Sequence, residues 1–191
     1  MPLDNAVSIH RTSARAKRII ALMVAIALAP VVLAALAYYV FPRDARVNYG
    51  ELLQGTVPAI EGTRLDGASF DVADLRGRWI VLYDAGARCT GRCADALYAS
   101  RQARTIQNAE RERVVRVLLV GGNATPANDL LAQHPDLVVV QLGKPPALPR
   151  GADRIYLVDP LGNFVLAWPS KPDIKAMAKD LGRVLRASSV G

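Results

Sequence analysis

The spacing of apolar and polar positions divides the chain into an uncharged run near the N-terminus and a longer region of short, alternating elements. Residues Ile19–Phe41 carry no charged side chain. As a helix this run is about 34 Å long, enough to cross a hydrocarbon core of roughly 30 Å. We therefore predict a transmembrane anchor at 19–41. A basic leader at 1–18 precedes it, and a polar linker at 42–58 follows.

The remaining residues predict a globular domain at 59–187 and a short tail at 188–191. Short apolar runs bounded by Gly, Pro and Asp indicate strands, and apolar spacing of three and four indicates helices. A capping pattern at Ser170 and Asp173 marks the start of the last helix, and Thr125 is the expected N-cap of a short helix. The predicted strands are 60–65, 68–72, 79–83, 114–120, 137–141, 155–158 and 164–168, and the predicted helices are 93–108, 126–132 and the one after 173.

Strands separated by helices predict parallel crossover connections, and the last two strands predict an antiparallel hairpin. The expected fold class is α/β, a sheet covered on both faces. In such sheets, chemistry gathers at the carboxyl ends of the parallel strands.

The distribution of charge predicts which side of the membrane the domain occupies. The formal net charge is +7, of which residues 1–18 contribute +3. By the positive-inside bias, the N-terminus stays in the cytoplasm and the domain faces the periplasm from the inner membrane. The alternative is a cleaved signal peptide, because Ala35, Leu36 and Ala37 have the small-x-small form. Under both interpretations the domain lies outside the cytoplasm.

The rest of the charge does not favour nucleic-acid binding. The dense basic run from Arg101 to Arg116 is interrupted by Glu110 and Glu112 and contains no aromatic residue. A solvated helix face is the expected structure for such a run. We therefore expect no nucleic-acid partner.

The chain has two cysteines, Cys89 and Cys93, and they lie between the first buried strand and the first long helix. In an oxidising compartment, unpaired thiols are uncommon, and a bridge this short contributes little to stability. Because a disulfide needs closer Cβ atoms than two helical residues four apart provide, we expect Cys89 in the loop and Cys93 in the first helical turn. The helix N-terminus and the neighbouring Arg88 and Arg92 favour a thiolate.

The arrangement resembles a thioredoxin-like domain, and the three-residue spacing between the cysteines resembles the Sco family. The resemblance covers about residues 56–187. It rests on Phe70, the run 75–79 (LRGRW), the CTGRC segment 89–93 and the run 156–164 (YLVDPLGNF). Sco proteins are membrane-anchored factors that help to assemble the copper centre of cytochrome c oxidase. The resemblance thus implies a thioredoxin-like fold, copper as a cofactor or cargo, and a respiratory oxidase subunit or assembly factor as partner.

The chain departs from the family pattern at the positions that matter for copper. Thr90 and Ala94 follow the cysteines where Sco proteins usually have proline. The loop 144–153, where the family has a copper-binding histidine, has none. The chain's two histidines are His10 and His134, and for His134 we expect a solvated loop position.

Two further residues are candidates by the same resemblance. Asp84 lies nine residues before Cys93, the separation between the buried acid and the second cysteine in thioredoxins. It is either a proton shuttle for Cys93 or an exposed acid at a strand end. Arg150 lies in the loop of the missing histidine and faces either the sulfurs or solvent. Pro149 is a candidate for stiffening that loop.

Three functions stay open from the sequence. The first is thiol–disulfide exchange, with Cys89 attacking and Cys93 resolving. The second is a Cu(I) chaperone that uses the two thiolates, since soft sulfur ligands select Cu(I). The third is a partner-binding module without chemistry.

Overall fold

The computed structural model describes residues 14–40, 48–89, 91–122 and 124–188, in two compact units, Met1–Arg46 and Val47–Gly191. In the first unit, helix α1 spans Ala14–Val40. Its segment Ala14–Ala37 is long and apolar enough to cross a membrane. The predicted apolar helix is confirmed, and it begins within the basic leader. Phe41, the last residue of the predicted span, lies outside the described residues.

The second unit is built on one eight-stranded mixed sheet in the order β1-β8-β7-β4-β5-β6-β2-β3. Its centre, β4-β5-β6, is parallel, and β2-β3 and β7-β8 are antiparallel pairs. The strands are β1 Glu51–Leu52, β2 Glu61–Arg64, β3 Ser69–Asp71, β4 Trp79–Asp84, β5 Val114–Gly121, β6 Leu137–Leu142, β7 Arg154–Val158 and β8 Phe164–Pro169. The predicted parallel connections and the final antiparallel hairpin are confirmed.

Apolar side chains on both faces hold this sheet. All six residues of β4 are buried, because its continuous apolar run lies at the centre of the sheet. One face packs on helices α2 (Gly91–Thr105) and α4 (Ile174–Ala187). The other face packs on the 3-10 helix Val72–Leu75 and on buried loop residues, among them Leu53, Ile60 and Leu148. Both faces are therefore covered, one of them without an α-helix.

The helix ends differ from prediction where side chains find other partners. The short helix α3 spans Asn128–Ala132, and its N-cap is Ala127, without a side-chain cap. Thr125 is not the cap, and its hydroxyl lies 3.4 Å from the Gln141 amide nitrogen. Helix α4 is capped by Asp173 alone, whose carboxylate accepts the Ala176 N–H at 2.8 Å.

The described part of the predicted linker, residues 48–58, packs on the domain. Strand β1 pairs with β8, and the buried carboxylate of Asp180 in α4 accepts the Gly50 N–H at 2.8 Å and the Trp168 indole N–H at 3.2 Å. A Cβ at residue 50 would lie 2.5 Å from the indole nitrogen of Trp168, so glycine permits this close approach. The sheet domain thus begins about ten residues earlier than predicted.

Candidate functional site

The two cysteines lie where the loop after β4 enters α2, and they form a disulfide. Their sulfurs are 2.00 Å apart and their Cα atoms 5.1 Å apart. Cys89 lies in the loop and Cys93 in the first turn of α2, so the predicted placement and pairing are confirmed. Thr90, between them, lies outside the described residues.

The two sulfur-bearing residues differ in exposure. Cys93 is 1% exposed and belongs to the core that α2 and α4 form with the sheet. Cys89 is half-buried against the edge of that core. A partner molecule therefore has access to Cys89 and is excluded from Cys93, the asymmetry that a two-step disulfide exchange needs.

Asp84 closes β4 and is 5% exposed, which places it among the buried acids. Burial raises the pKa of its carboxyl group, and the Gly86 N–H, which donates to Oδ1 at 2.9 Å, partly offsets that rise. Of the two alternatives for Asp84, the exposed strand-end acid is wrong. Its role as a proton shuttle stays a prediction.

A cavity of about 360 Å³ lies beside Asp84, between the loops that follow β4, β5 and β6. Its walls are mostly glycine and proline, including Pro145 and Pro146. The Gly121 N–H donates to the Gly86 carbonyl at 2.8 Å, and a Cβ at residue 121 would lie 3.2 Å from that oxygen. This close approach fixes the loop that leads from Asp84 to Cys89.

Two residues that the sequence analysis missed, Tyr83 and Asp153, connect the end of β4 to the loop before β7. The Tyr83 hydroxyl donates to Asp153 Oδ1 at 2.6 Å, and the Asp153 N–H donates to the Asp84 carbonyl at 2.8 Å. Burial, followed by the hydrogen bond with Asp153, raises the pKa of Tyr83. The sequence could have revealed this contact only through the predicted pairing of strands. An antiparallel β7 beside β4 brings its first residues to the edge where β4 ends.

The arginines predicted to support the site occupy different positions. Arg88 is exposed. Arg92 is 73% exposed, and its Nη1 lies 3.1 Å from Asp153 Oδ2. The Arg150 guanidinium pairs with Glu51, with its Nε 2.9 Å from Oε1. Arg150 therefore contacts strand β1. The peptide bond before Pro149 is trans.

Comparison with known proteins places this arrangement in a family. Residues 79–188 match the model of the transmembrane-like, thioredoxin-like, C-terminal domain. The chain belongs to this family. The match begins at the first residue of β4 and contains both cysteines. The edge of the sheet that carries Cys89 and Cys93, the cysteine edge, therefore lies within the family's own domain.

Solved structures confirm the thioredoxin-like fold. Copper-bound ScoI from Arabidopsis thaliana has a TM-score of 0.55 at 18% identity, covering 70% of this chain and 100% of the other. Copper-bound Sco1 from yeast scores 0.56 at 16% identity, with 70% and 94% covered. Apo Sco1 from Thermus thermophilus scores 0.54 at 18% identity, with 75% and 98% covered. No curated protein matches the sequence.

The thioredoxin-like domain of this chain offers few ligands for a metal. Within the part of the chain that the structure describes, no group of three or more His, Cys, Asp or Glu side chains could hold a metal ion. The cysteine edge itself supplies two sulfurs, and the loop 144–153 supplies no histidine. Two thiolates fit Cu(I) as a partial ligand set.

His134 is buried, and the expectation of a solvated position is wrong. It is 3% exposed, and its Nδ1 lies 3.4 Å from Arg116 Nη2. Burial and the nearby Arg116 charge lower the pKa of His134 to about 4. It lies before β6, at the amino ends of the parallel strands and hence away from the cysteine edge.

The basic run from Arg101 to Arg116 is not one solvated helix face. It passes from α2 through the 3-10 helix Asn108–Arg113 into β5. Arg116 is 1% exposed and donates to the Leu97 carbonyl at 2.8 Å and to Ser100 Oγ at 3.2 Å. A backbone carbonyl and a hydroxyl of α2 thus accept hydrogen bonds from a charged group that the sequence pattern predicts to be solvated.

Proposed function

We propose that this protein is a single-pass, inner-membrane thiol–disulfide exchange factor of the Sco type, with its domain in the periplasm. The observation that carries the proposal is the pairing of an accessible Cys89 with a buried Cys93 at the N-terminus of α2. The setting, assembly of a respiratory oxidase copper site, is supported by the Sco-like fold. The basic residues on the N-terminal side of the apolar run 19–41 (Arg11, Arg15, Lys17 and Arg18) support the orientation.

The exchange proceeds in two balanced steps. In the reduced protein, the Cys89 thiolate attacks one sulfur of a partner's disulfide, forming a mixed disulfide and releasing one partner thiolate. Cys93 then loses its proton and attacks the Cys89 sulfur, which releases the second partner thiolate. Two electrons pass to the partner, and Cys89 and Cys93 end as the disulfide. A dithiol protein reverses these steps on the oxidised form.

Asp84 is suited to accept the Cys93 proton in the second step. Its burial favours the protonated carboxyl group, so its proton affinity is closer to that of a thiol than an exposed carboxylate's would be. The cavity beside it gives a path for that proton toward solvent. Arg88, exposed beside Cys89, stabilises the attacking thiolate.

A trapping experiment tests the exchange function. In cells, the full-length Cys93→Ser variant cannot resolve the mixed disulfide, so we expect it to retain a partner through Cys89. Mass spectrometry after non-reducing purification would identify that partner. The matched control is Cys89→Ser, which keeps one thiol but removes the attacking one. Equal recovery of partners by both variants, or by neither, would contradict the proposal.

Copper chaperoning is the second candidate, favoured by the copper-bound structural neighbours. Here the two thiolates hold Cu(I), and the partner supplies a further ligand in place of the missing histidine. Anaerobic titration of the reduced full-length protein separates the candidates. Stoichiometric Cu(I) binding that is lost in Cys93→Ser supports the chaperone, whereas a measurable dithiol potential without copper affinity supports exchange. If both cysteine variants are silent in cells, the domain is a partner-binding module.

A further inference from the structure

Asp153 contacts both the strand that leads to the cysteines and the residue that precedes Cys93. One carboxylate oxygen accepts the buried Tyr83 hydroxyl at 2.6 Å, and the other lies 3.1 Å from Arg92 Nη1. Its backbone N–H donates to the Asp84 carbonyl at 2.8 Å. Three contacts from one residue therefore fix the loop before β7 against the cysteine segment.

The contact with Arg92 matters because Arg92 is the cation adjacent to Cys93 in the first turn of α2. A cation at this position stabilises a thiolate. A carboxylate that pairs with the cation reduces that stabilisation, because part of the guanidinium charge is then neutralised. The structure shows this ion pair in the disulfide form of the domain.

We propose that Asp153 is a positioning residue that pairs with Arg92 and, by neutralising part of the guanidinium charge, limits the thiolate content of reduced Cys89. Asp153 sets how oxidising the pair is, since stabilising the reduced thiolate form raises the reduction potential of a disulfide. The inference rests on the proposed exchange chemistry and adds to it the residue that tunes the reaction.

The test variant is Asp153→Asn in the full-length protein in detergent. Asparagine removes the charge, still accepts the Tyr83 hydroxyl, and tolerates the left-handed φ of +65° at this position. We expect the alkylation rate of reduced Cys89 by iodoacetamide at pH 7 to rise about two- to fivefold, the range of an exposed ion pair. The equilibrium with glutathione shifts toward the dithiol by the same factor, and fivefold corresponds to about 20 mV.

Controls separate this role from a general effect of charge or structure. Glu112→Gln removes an acidic charge beyond the C-terminal end of α2 and should leave both readouts unchanged. In an Arg92→Gln background, Asp153→Asn should have no further effect, because the cation through which it acts is gone.

The outcomes distinguish this inference from the proposed function. Wild-type behaviour of Asp153→Asn, or an effect that persists in the Arg92→Gln background, overturns the role of Asp153 while leaving exchange intact. A disulfide that glutathione cannot reduce and reform overturns both. Failure to trap a partner in cells contradicts the proposed function alone, because the glutathione equilibrium needs no partner.

Discussion

Helix α2 contacts two polar clusters that use the same residue types in opposite ways. The Arg116 cluster (Ser100, Arg116, His134 and Asp136) lies beneath the middle of the helix, whereas the cysteine-edge cluster (Tyr83, Asp84, Arg92 and Asp153) lies at its N-terminus. Arg116 is 1% exposed and Arg92 is 73% exposed. The aspartates of the two pairs are similarly exposed, at 34% for Asp136 and 36% for Asp153. The two pairs therefore differ in the arginine, which is buried in one cluster and exposed in the other.

The difference in exposure determines what each pair contributes. Arg116 donates to Leu97, Ser100 and Asp136 at once, and burial lowers its pKa to about 10, with Asp136 opposing that change. A charge that is buried and fully paired is costly to unpair. An exposed pair such as Arg92–Asp153 contributes little to stability.

The largest expected effect is on the buried arginine. Arg116→Ala leaves the Leu97 carbonyl and the Ser100 hydroxyl without this donor and opens a cavity, so we expect a loss of about 3 kcal/mol in unfolding free energy. Arg92→Ala, the matched exposed control, should lose less than about 0.5 kcal/mol. Urea unfolding of the full-length protein in detergent measures both. Similar losses for the two variants would show that the clusters do not differ in this way.

A medium effect is expected from His134 as the pH falls. Because burial depresses its folded pKa to about 4, below the ordinary 6.5, the unfolded chain binds more protons in the window between these values. Stability is therefore lost as pH falls from 6.5 toward 4, by about 2 kcal/mol. Urea unfolding at both pH values should show this slope, and His134→Asn should flatten it. A variant with the wild-type slope would assign the loss to other groups.

The smallest expected effect is a gain of stability at the cysteine edge. Burial raises the folded pKa of Asp84 above its ordinary value, so stability is lost as pH rises through that folded pKa. Asp84→Asn should stabilise the protein at pH 7, because asparagine carries no charge to bury, and should slow the resolving step of exchange. Thermal unfolding and single-turnover reduction of a disulfide substrate measure the two changes. Lower stability with unchanged exchange would place Asp84 among the structural residues.

The sequence predicts the elements that its apolar patterning determines strongly. The run at 79–83 becomes a fully buried strand, and the cysteine spacing correctly places Cys89 in a loop and Cys93 in a helix. Patterning fails for Arg116 and His134, because charged residues are assigned to the surface unless their partners are known. Arg116 donates to Leu97 and Ser100 in α2 and to Asp136 before β6, and His134 contacts Arg116 itself. These contacts join separate elements, so no local spacing reveals them.

The same limit applies to the candidate site. Asp153 meets Tyr83 across 70 positions of the chain, and the contact depends on the antiparallel pairing of β4 and β7. The residues between 48 and 58 read as a linker because they are polar and contain glycine and proline. Their structure follows from Asp180 and β8, more than 100 positions away.

The carboxylate of Asp180 has a practical consequence for anyone who expresses the domain without its anchor. A fragment that starts at Ala59 would omit the edge strand β1 and the Gly50 amide, and would leave a buried negative charge short of a donor. A soluble fragment should instead start before Asn48, which itself accepts a hydrogen bond from Arg183 at 2.5 Å. Any purification tag or protease cleavage site belongs upstream of that residue.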